Sequence, residues 1–329
     1  MGGAVSKFLP GVVAEKYFEN IPFTVFNMSE TKTGDVSLSG FGNTGTDCFF
    51  KQQNSPNWIP YLGSRIELQP KEKVSFRFKN PSYDSISVFC RFFAGEESDV
   101  FEVYGNLKKF KSVDFSDYIV SAKNLLLNCE YYERAFYECK YLKTPPAKLP
   151  ALQYIPSSCY EEMFYGCQSL ETAPQLVLGT ASLSCCSSMF YGCSSLVDSS
   201  NISLPATVLD AYCYEEMFCI CSSLETAPEL PATELGTECY KRMFRGCTNL
   251  KTAPELPATE LSKHCYESMF ADCSNLKEIT VHFSDWGSVD STYKWVSGVA
   301  SHGVFRCPKE LEIIYDDSHI PPGWDVVTF

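Results

Sequence analysis

Hydrophobic positions in the C-terminal part of the chain recur in blocks. The block reads C-Y-x-x-M-F-x-G-C-x-x-L-x-T-A-P-x-L-P-A-T-x-L. Its Met-Phe pair returns at Met163-Phe164, Met189-Phe190, Met217-Phe218, Met243-Phe244 and Met269-Phe270, in steps of 26, 28, 26 and 26 residues. A degenerate copy carries Ala135-Phe136, 28 residues before Met163. The second Cys of the block falls at 139, 167, 193, 221, 247 and 273, each followed three residues later by Leu. A fixed period in this range marks a repeat array, in which no copy buries its apolar face alone and stacked neighbours bury it together.

Inside the block, Cys159, Met163 and Cys167 lie four apart, with Tyr160 and Phe164 beside them. That spacing predicts one face of a short helix. Gly166, Gly192 and Gly246 stand where such a helix would end, with Ile220 and Asp272 replacing the glycine in two copies. The following Leu-x-x-Ala-Pro reads as extended chain. Pro254 has no N–H, so the strand is short, about Leu250 to Ala253. Pro257-Ala258-Thr259 then turns towards the next copy. One short helix and one short strand per copy predicts an α/β leucine-rich-repeat solenoid. Its core ladder is Cys159, Met163, Phe164, Cys167, Met189, Phe190, Met217, Phe218, Met243, Phe244, Met269 and Phe270. Residues 176–183 lack the Leu-Pro-Ala-Thr turn and residues 196–204 carry two extra residues, so the array is irregular there.

Upstream the period changes to two. Arg65–Leu68 and Lys73–Phe78 alternate apolar and polar residues, and Phe23–Phe26, Val36–Leu38, Ser85–Phe93 and Phe101–Tyr104 are further β-like runs. They predict an all-β, sandwich-like N-terminal domain. The organisation expected is an attachment tail at 1–20, the β domain at 21–110, repeats at 111–279 and a capping module at 280–329. The cap would shield the last copy's apolar face with the Trp, Val and Phe residues of Tyr293–Ala300, Gly303–Phe305 and Ile320–Trp324. At the extreme N-terminus, Lys7 and Phe8–Ala14 only faintly resemble a signal peptide, because Pro10 interrupts the run and Glu15 and Lys16 follow it. Met1-Gly2-Gly3-Ala4-Val5-Ser6 fits a short myristoylation pattern.

Charge narrows the partners. The net charge is −13, and no Lys or Arg occurs between Lys148 and Lys241 while 11 acidic residues do. Such a surface repels a phosphate backbone, which argues against nucleic acid. The 17 cysteines are an odd number and include no C-x-x-C pair, and there are four histidines, so no zinc site is indicated. On a continuous helix Cys159 and Cys167 would sit about 12 Å apart, too far for a disulfide. They are expected as small, buried, reduced side chains, with disulfides between copies in an oxidising compartment as the alternative. No nucleophile elbow, phosphate loop, H-E-x-x-H or dinucleotide fingerprint occurs, and Glu161-Glu162 and Glu215-Glu216 are helix neighbours that do not face one another. No catalytic, cofactor-binding or metal residue is assigned. Polar positions that change between copies form the candidate partner-binding face: Glu161, Glu162, Ser187, Ser188, Glu215, Glu216, Lys241, Arg242, Glu267 and Ser268.

The wording of the block is specific. CYEEMFYGCQSLETAP (159–174), LETAPELPATELGTECYKRMFRGCTNLKTAPELPATEL (224–261) and CYESMFADCSNL (265–276) resemble the BspA-like leucine-rich repeats of gut Bacteroidales and their phages, over roughly residues 125–329. The resemblance implies a non-enzymatic surface-recognition protein: a phage fibre, tail or head-decoration protein. Its solenoid would contact a host-surface glycan or protein, and its N-terminal region would contact other virion proteins. A homotrimer, common among virion fibres, is compatible with this. A bacterial cell-surface adhesin and an intracellular protein-interaction scaffold are the alternatives.

Overall fold

The computed structural model describes residues 22–39, 48–78, 85–92, 101–108, 112–115, 119–128, 132–150, 155–288 and 290–329. The tail expected at 1–20 lies outside them. The chain divides into two compact units: Met1–Val113 with Tyr118–Glu130 and Thr144–Ala147, and Asp114–Asp117 with Tyr131–Lys143 and Lys148–Phe329.

The first unit is built from two sheets. Its strands are β1 (Phe23–Asn27), β2 (Gly34–Ser39), β3 (Cys48–Gln52), β4 (Ile59–Pro60), β5 (Ile66–Leu68), β6 (Lys73–Phe78), β7 (Ser85–Phe92), β8 (Phe101–Lys108), β9 (Ser112–Phe115, whose last two residues belong to the second unit), β10 (Ile119–Ser121) and β11 (Leu125–Asn128). One sheet runs β10-β8-β1-β6-β3-β4, with β11 also on β8, and the other runs β5-β2-β7-β9. Alternation decides the inner face of β6: Val74 and Phe76 are buried, while Lys73 and Arg77 point outward. Tyr61 lies edge-on to Phe76 at 5.5 Å, and its hydroxyl accepts the Leu38 N–H at 2.9 Å, which ties the two sheets together. Asn27 is buried on β1, and its amide donates to the carbonyls of Leu68 and Gln69 at the end of β5.

The second unit overturns the expected α/β leucine-rich-repeat arrangement. No helix occurs among the described residues, and the chain is all-β. The segment expected as a helix is instead a run of overlapping four-residue turns. The N–H groups of Cys159, Glu161, Met163, Tyr165 and Cys167 each bond three residues back, to Pro156, Ser158, Tyr160, Glu162 and Phe164. The intervening N–H groups of Tyr160, Glu162, Phe164 and Gly166 reach the carbonyls of Cys185, Ser187, Met189 and Tyr191 in the next coil, at 2.8–2.9 Å. An α-helix would spend all these donors internally and leave no ladder between coils.

The geometry requires a positive φ at every fourth residue: Ser158 (57°), Glu162 (53°) and Gly166 (70°) in one copy, and Glu238 (56°), Arg242 (54°) and Gly246 (74°) in another. Each non-glycine residue so placed costs roughly 1–2 kcal/mol. With the Ser158 N–H to Leu183 (3.1 Å) there are five inter-coil bonds in this copy, and at about 0.5–1.5 kcal/mol each they offset that cost. The segment is also a poor helix former. That holds most clearly for the copy at Ser182 to Cys193, which is mainly Ser, Cys, Tyr, Phe and Gly with one Leu and one Met, and has no Ala, Glu, Lys or Arg. Two residues inward and two outward in every four suit a turn run with no angular drift, whereas a helix drifts by about 40° over each such step.

The extended segments form few true strands. The stretch expected as a strand at Leu250–Ala253 makes one bridge, Thr252 to Glu278. Pairing lengthens where the sequence is irregular. Val177 stands where later copies have Pro231 and Pro257, and the N–H groups on either side of it, of Leu176 and Leu178, reach the carbonyls of Asn201 and Ser203 at 3.1 Å. There β12 (Leu176–Val177) pairs in parallel with β13 (Ile202–Ser203). At the C-terminal end, β14 (Glu278–Thr280), β15 (Val304–Cys307) and β16 (Asp325–Thr328) form a parallel sheet. Residues around Trp295 adopt the turn run again. Ser268, Phe270 and Asp272 donate to the carbonyls of Tyr293, Trp295 and Ser297, and φ is positive at Lys294 and Gly298.

Stacking puts equivalent side chains in columns. Phe115, Phe136, Phe164, Phe190, Phe218, Phe244 and Phe270 form a spine of nearly parallel rings, with centroids 4.7–5.8 Å apart and interplanar angles of 2–11°. The Met and Cys columns beside it have no exposure: Met163, Met189, Met217, Met243 and Met269, with Cys159, Cys167 and their equivalents. Each such fully buried large apolar side chain is worth about 1.5–3 kcal/mol.

Candidate binding face

The ten positions singled out from the sequence occupy two adjacent columns at the third and fourth places of the turn run. Glu161, Ser187, Glu215, Lys241 and Glu267 form one, and Glu162, Ser188, Glu216, Arg242 and Ser268 the other. The structure brings them together through their own backbone: the N–H groups of Glu162, Ser188, Glu216, Arg242 and Ser268 donate to Ser187, Glu215, Lys241, Glu267 and Tyr293 at 2.8–2.9 Å. They are not exposed helix positions. The charged members are half-buried, and Ser187 and Ser188 are buried. The left-handed φ at the fourth place holds its side chain close to the column above and below.

Several charges are spent on one another. Arg242 Nη1 donates to Glu216 Oε1 at 3.0 Å, and Lys241 Nζ lies 3.5 Å from Glu215 Oε1 and 2.5 Å from Glu238 Oε2. Arg134 pairs with Glu162 one coil away. Partly exposed pairs of this kind contribute roughly 0.2–1 kcal/mol each. The Arg242 guanidinium is held above its ordinary range, chiefly by its bond to Glu216. Burial pushes the Glu215 carboxyl up, and nearby Glu216 and Glu238 add to the rise while Lys241 opposes it. Glu161 and Ser268 are not consumed by such pairs among the described residues.

A third column was not singled out from the sequence. Tyr137, Tyr165 and Tyr191 follow the apolar pair in three successive copies, and their rings stack at 5.0 and 4.6 Å. They are half-buried, so their ring edges and hydroxyls reach the surface next to Glu162 and Ser188. The legible signal was Tyr at one block position in three consecutive copies. Stacked in this way the rings are rigid, which suits recognition because little side-chain freedom remains to be lost.

The cysteine columns belong to the core. The fifteen described cysteines are buried thiols outside any disulfide. In one column each thiol donates to the Phe carbonyl of the preceding coil: Cys167 to Phe136 (3.1 Å), Cys193 to Phe164 (3.2 Å), Cys221 to Phe190 (3.1 Å), Cys247 to Phe218 (3.1 Å) and Cys273 to Phe244 (3.0 Å). Burial pushes the Cys159 thiol up to about 12, which keeps it protonated and weakly nucleophilic. Among the described residues no group of three or more His, Cys, Asp or Glu has a metal-holding arrangement, and no helix is long and apolar enough to cross a membrane. Comparison with protein-family models, with curated proteins and with solved structures gave no match.

Proposed function

We propose that this chain is a non-enzymatic surface-recognition protein, a phage virion protein of the fibre, tail or head-decoration kind, whose stacked coils contact the surface of a gut Bacteroidales host. The observation that carries the reading is the column geometry of the turn run. A backbone ladder holds Glu161, Glu162, Ser188, Arg242 and Ser268 in a fixed grid beside the Tyr137–Tyr165–Tyr191 stack, and the residue type at each grid point changes from coil to coil. A rigid grid with variable occupants suits recognition of an extended host glycan or protein, because little of the surface has to be ordered on binding. In this reading the N-terminal region contacts other virion proteins. The block wording shared with BspA-like repeats supports the assignment to phage or host.

The test is adsorption of the fluorescently labelled full chain to gut Bacteroidales cells. Specific, saturable adsorption is expected. Tyr165→Ala combined with Glu161→Lys is expected to weaken it about tenfold, as loss of an aromatic anchor does at other interfaces. A labelled chain that does not adsorb, or face variants that adsorb like the parent, would reject the proposal.

A further inference from the structure

The opposite flank of the coils, outside the candidate face, carries a groove that the proposed function does not use. Two adjoining hollows of about 570 and 580 Å³ share Ala227, Pro228, Glu229 and Pro231. Together they run from the coil of Ser200–Pro205, across those of Ala227–Pro231 and Pro254–Pro257, to His282. The wall comes from the Ala-Pro-x-Leu-Pro segment of the block. Its Leu side chains point into the core, with Leu230 and Leu256 buried, while the residue between Pro and Leu points out. That outward residue is Glu229 in one coil and Glu255 in the next, and both are exposed.

The lining is rich in acceptors and poor in donors. Pro205, Pro228, Pro231, Pro254 and Pro257 have no N–H to offer. No Lys or Arg lines either hollow, and the side-chain donors are the hydroxyls of Ser200, Ser203 and Thr226 and the ring of His282. His282 Nε2 lies 2.5 Å from Glu255 Oε1. Glu229 makes no ion pair among the described residues. An anion finds no Lys or Arg and few side-chain donors here. A neutral sugar finds no Phe, Tyr or Trp ring to stack on among the lining residues. A cationic, donor-rich, extended chain matches both the charge and the missing donors.

From this complementarity we infer that the proline-walled groove is a binding site for an extended peptide segment bearing Arg or Lys, supplied by a partner protein. Glu229 and Glu255 are its charge-recognising residues. Four coils at the usual strand spacing of roughly 4.8 Å span about 14 Å, which about six residues of extended chain, at roughly 3.3 Å each, overlap fully.

The test uses the full chain and a fluorescein-labelled (Arg-Ala)3 hexapeptide, read by anisotropy. Binding is expected at about 0.1 M salt, with most of it lost at about 1 M, where the Debye length falls to roughly 3 Å. Glu229→Gln with Glu255→Gln is expected to weaken it about tenfold. Ser203→Lys, which sets a cation on the exposed rim, is expected to weaken it as well. Glu161→Gln with Glu162→Gln, on the other flank, is expected to leave it unchanged. The inference is overturned if the peptide does not bind, or if both double variants weaken it equally, which would mean diffuse attraction to an acidic surface. It is also overturned if a chitosan oligosaccharide binds through Glu229 and Glu255 while the peptide does not. None of these outcomes depends on adsorption to cells, so this inference and the host-attachment reading can fail separately.

Discussion

Along the turn run, every second N–H of a coil bonds to the next coil from Tyr132 through Asp272, whereas along the return segment contact between neighbours thins to single bridges such as Thr172 to Asp198 and Thr252 to Glu278. The two flanks carry the same repeat and differ in one residue type. Proline occurs twice in the return segment of each regular copy and nowhere in the six turn runs from Tyr132 to Cys273. Where Val177 replaces the second proline of the return segment, the single bridge lengthens to a two-residue strand pair. The turn flank therefore holds the coils together with its backbone and ties up several of its charges in pairs along the columns. The return flank leaves Glu229 without an ion pair among the described residues, while Glu255 meets His282. Stability and ligand affinity should respond to different flanks.

Substitutions test that separation. The largest effect belongs to the Phe spine. Phe190 has no exposure and stacks on Phe164 and Phe218 at 5.4 and 5.5 Å, so Phe190→Ala should cost about 3–5 kcal/mol in urea unfolding. Glu229→Gln in the groove should leave the midpoint unchanged. A loss below about 1 kcal/mol for Phe190→Ala would show that the coils do not stack through their rings.

A smaller loss is expected at Gly236. A Cβ there would meet the Asp210 carbonyl carbon at 2.5 Å and its oxygen at 2.6 Å, both backbone atoms of the previous coil. Gly236→Ala should cost about 1–3 kcal/mol, because the two coils must separate to admit the methyl group. An unchanged melting temperature would place the coils further apart than this contact allows.

The smallest effect is a gain. Ile220 is β-branched, 46% exposed and held at φ 61°, where Gly166, Gly192 and Gly246 stand in other copies. Ile220→Gly should stabilise the protein slightly, by less than about 1 kcal/mol in thermal unfolding, because relief of the left-handed backbone, about 1–2 kcal/mol, exceeds the chain entropy glycine adds, about 0.5–1 kcal/mol. A loss of stability would mean that Ile220 contributes more through packing than its backbone costs.

The block itself was legible from residues alone. The positions written Cys, Tyr, Met, Phe, Cys and Leu in the repeat are buried in the stacked coils, and period-two alternation marked strands such as β6. The spacing fits a helix that the fold does not form, for a physical reason. Over nine residues, two inward and two outward in every four fits a helical face and a turn run equally well. The discriminating evidence is the poor helix propensity of Ser182–Cys193, together with Gly recurring at the last of three positions that all take positive φ. The candidate face was legible as variable polar positions. Their mutual pairing was not, because Arg242 and Glu216 lie 26 residues apart and meet only when coils stack.

The sequence by itself determined the period, the apolar column positions and the proline content of the return segment, because each follows from residue identity at a fixed spacing. Tertiary structure alone decided where the N–H groups of the turn run go. Alternate donors can leave their own coil only if another coil already stands about 5 Å away to accept them, and no local pattern contains that neighbour.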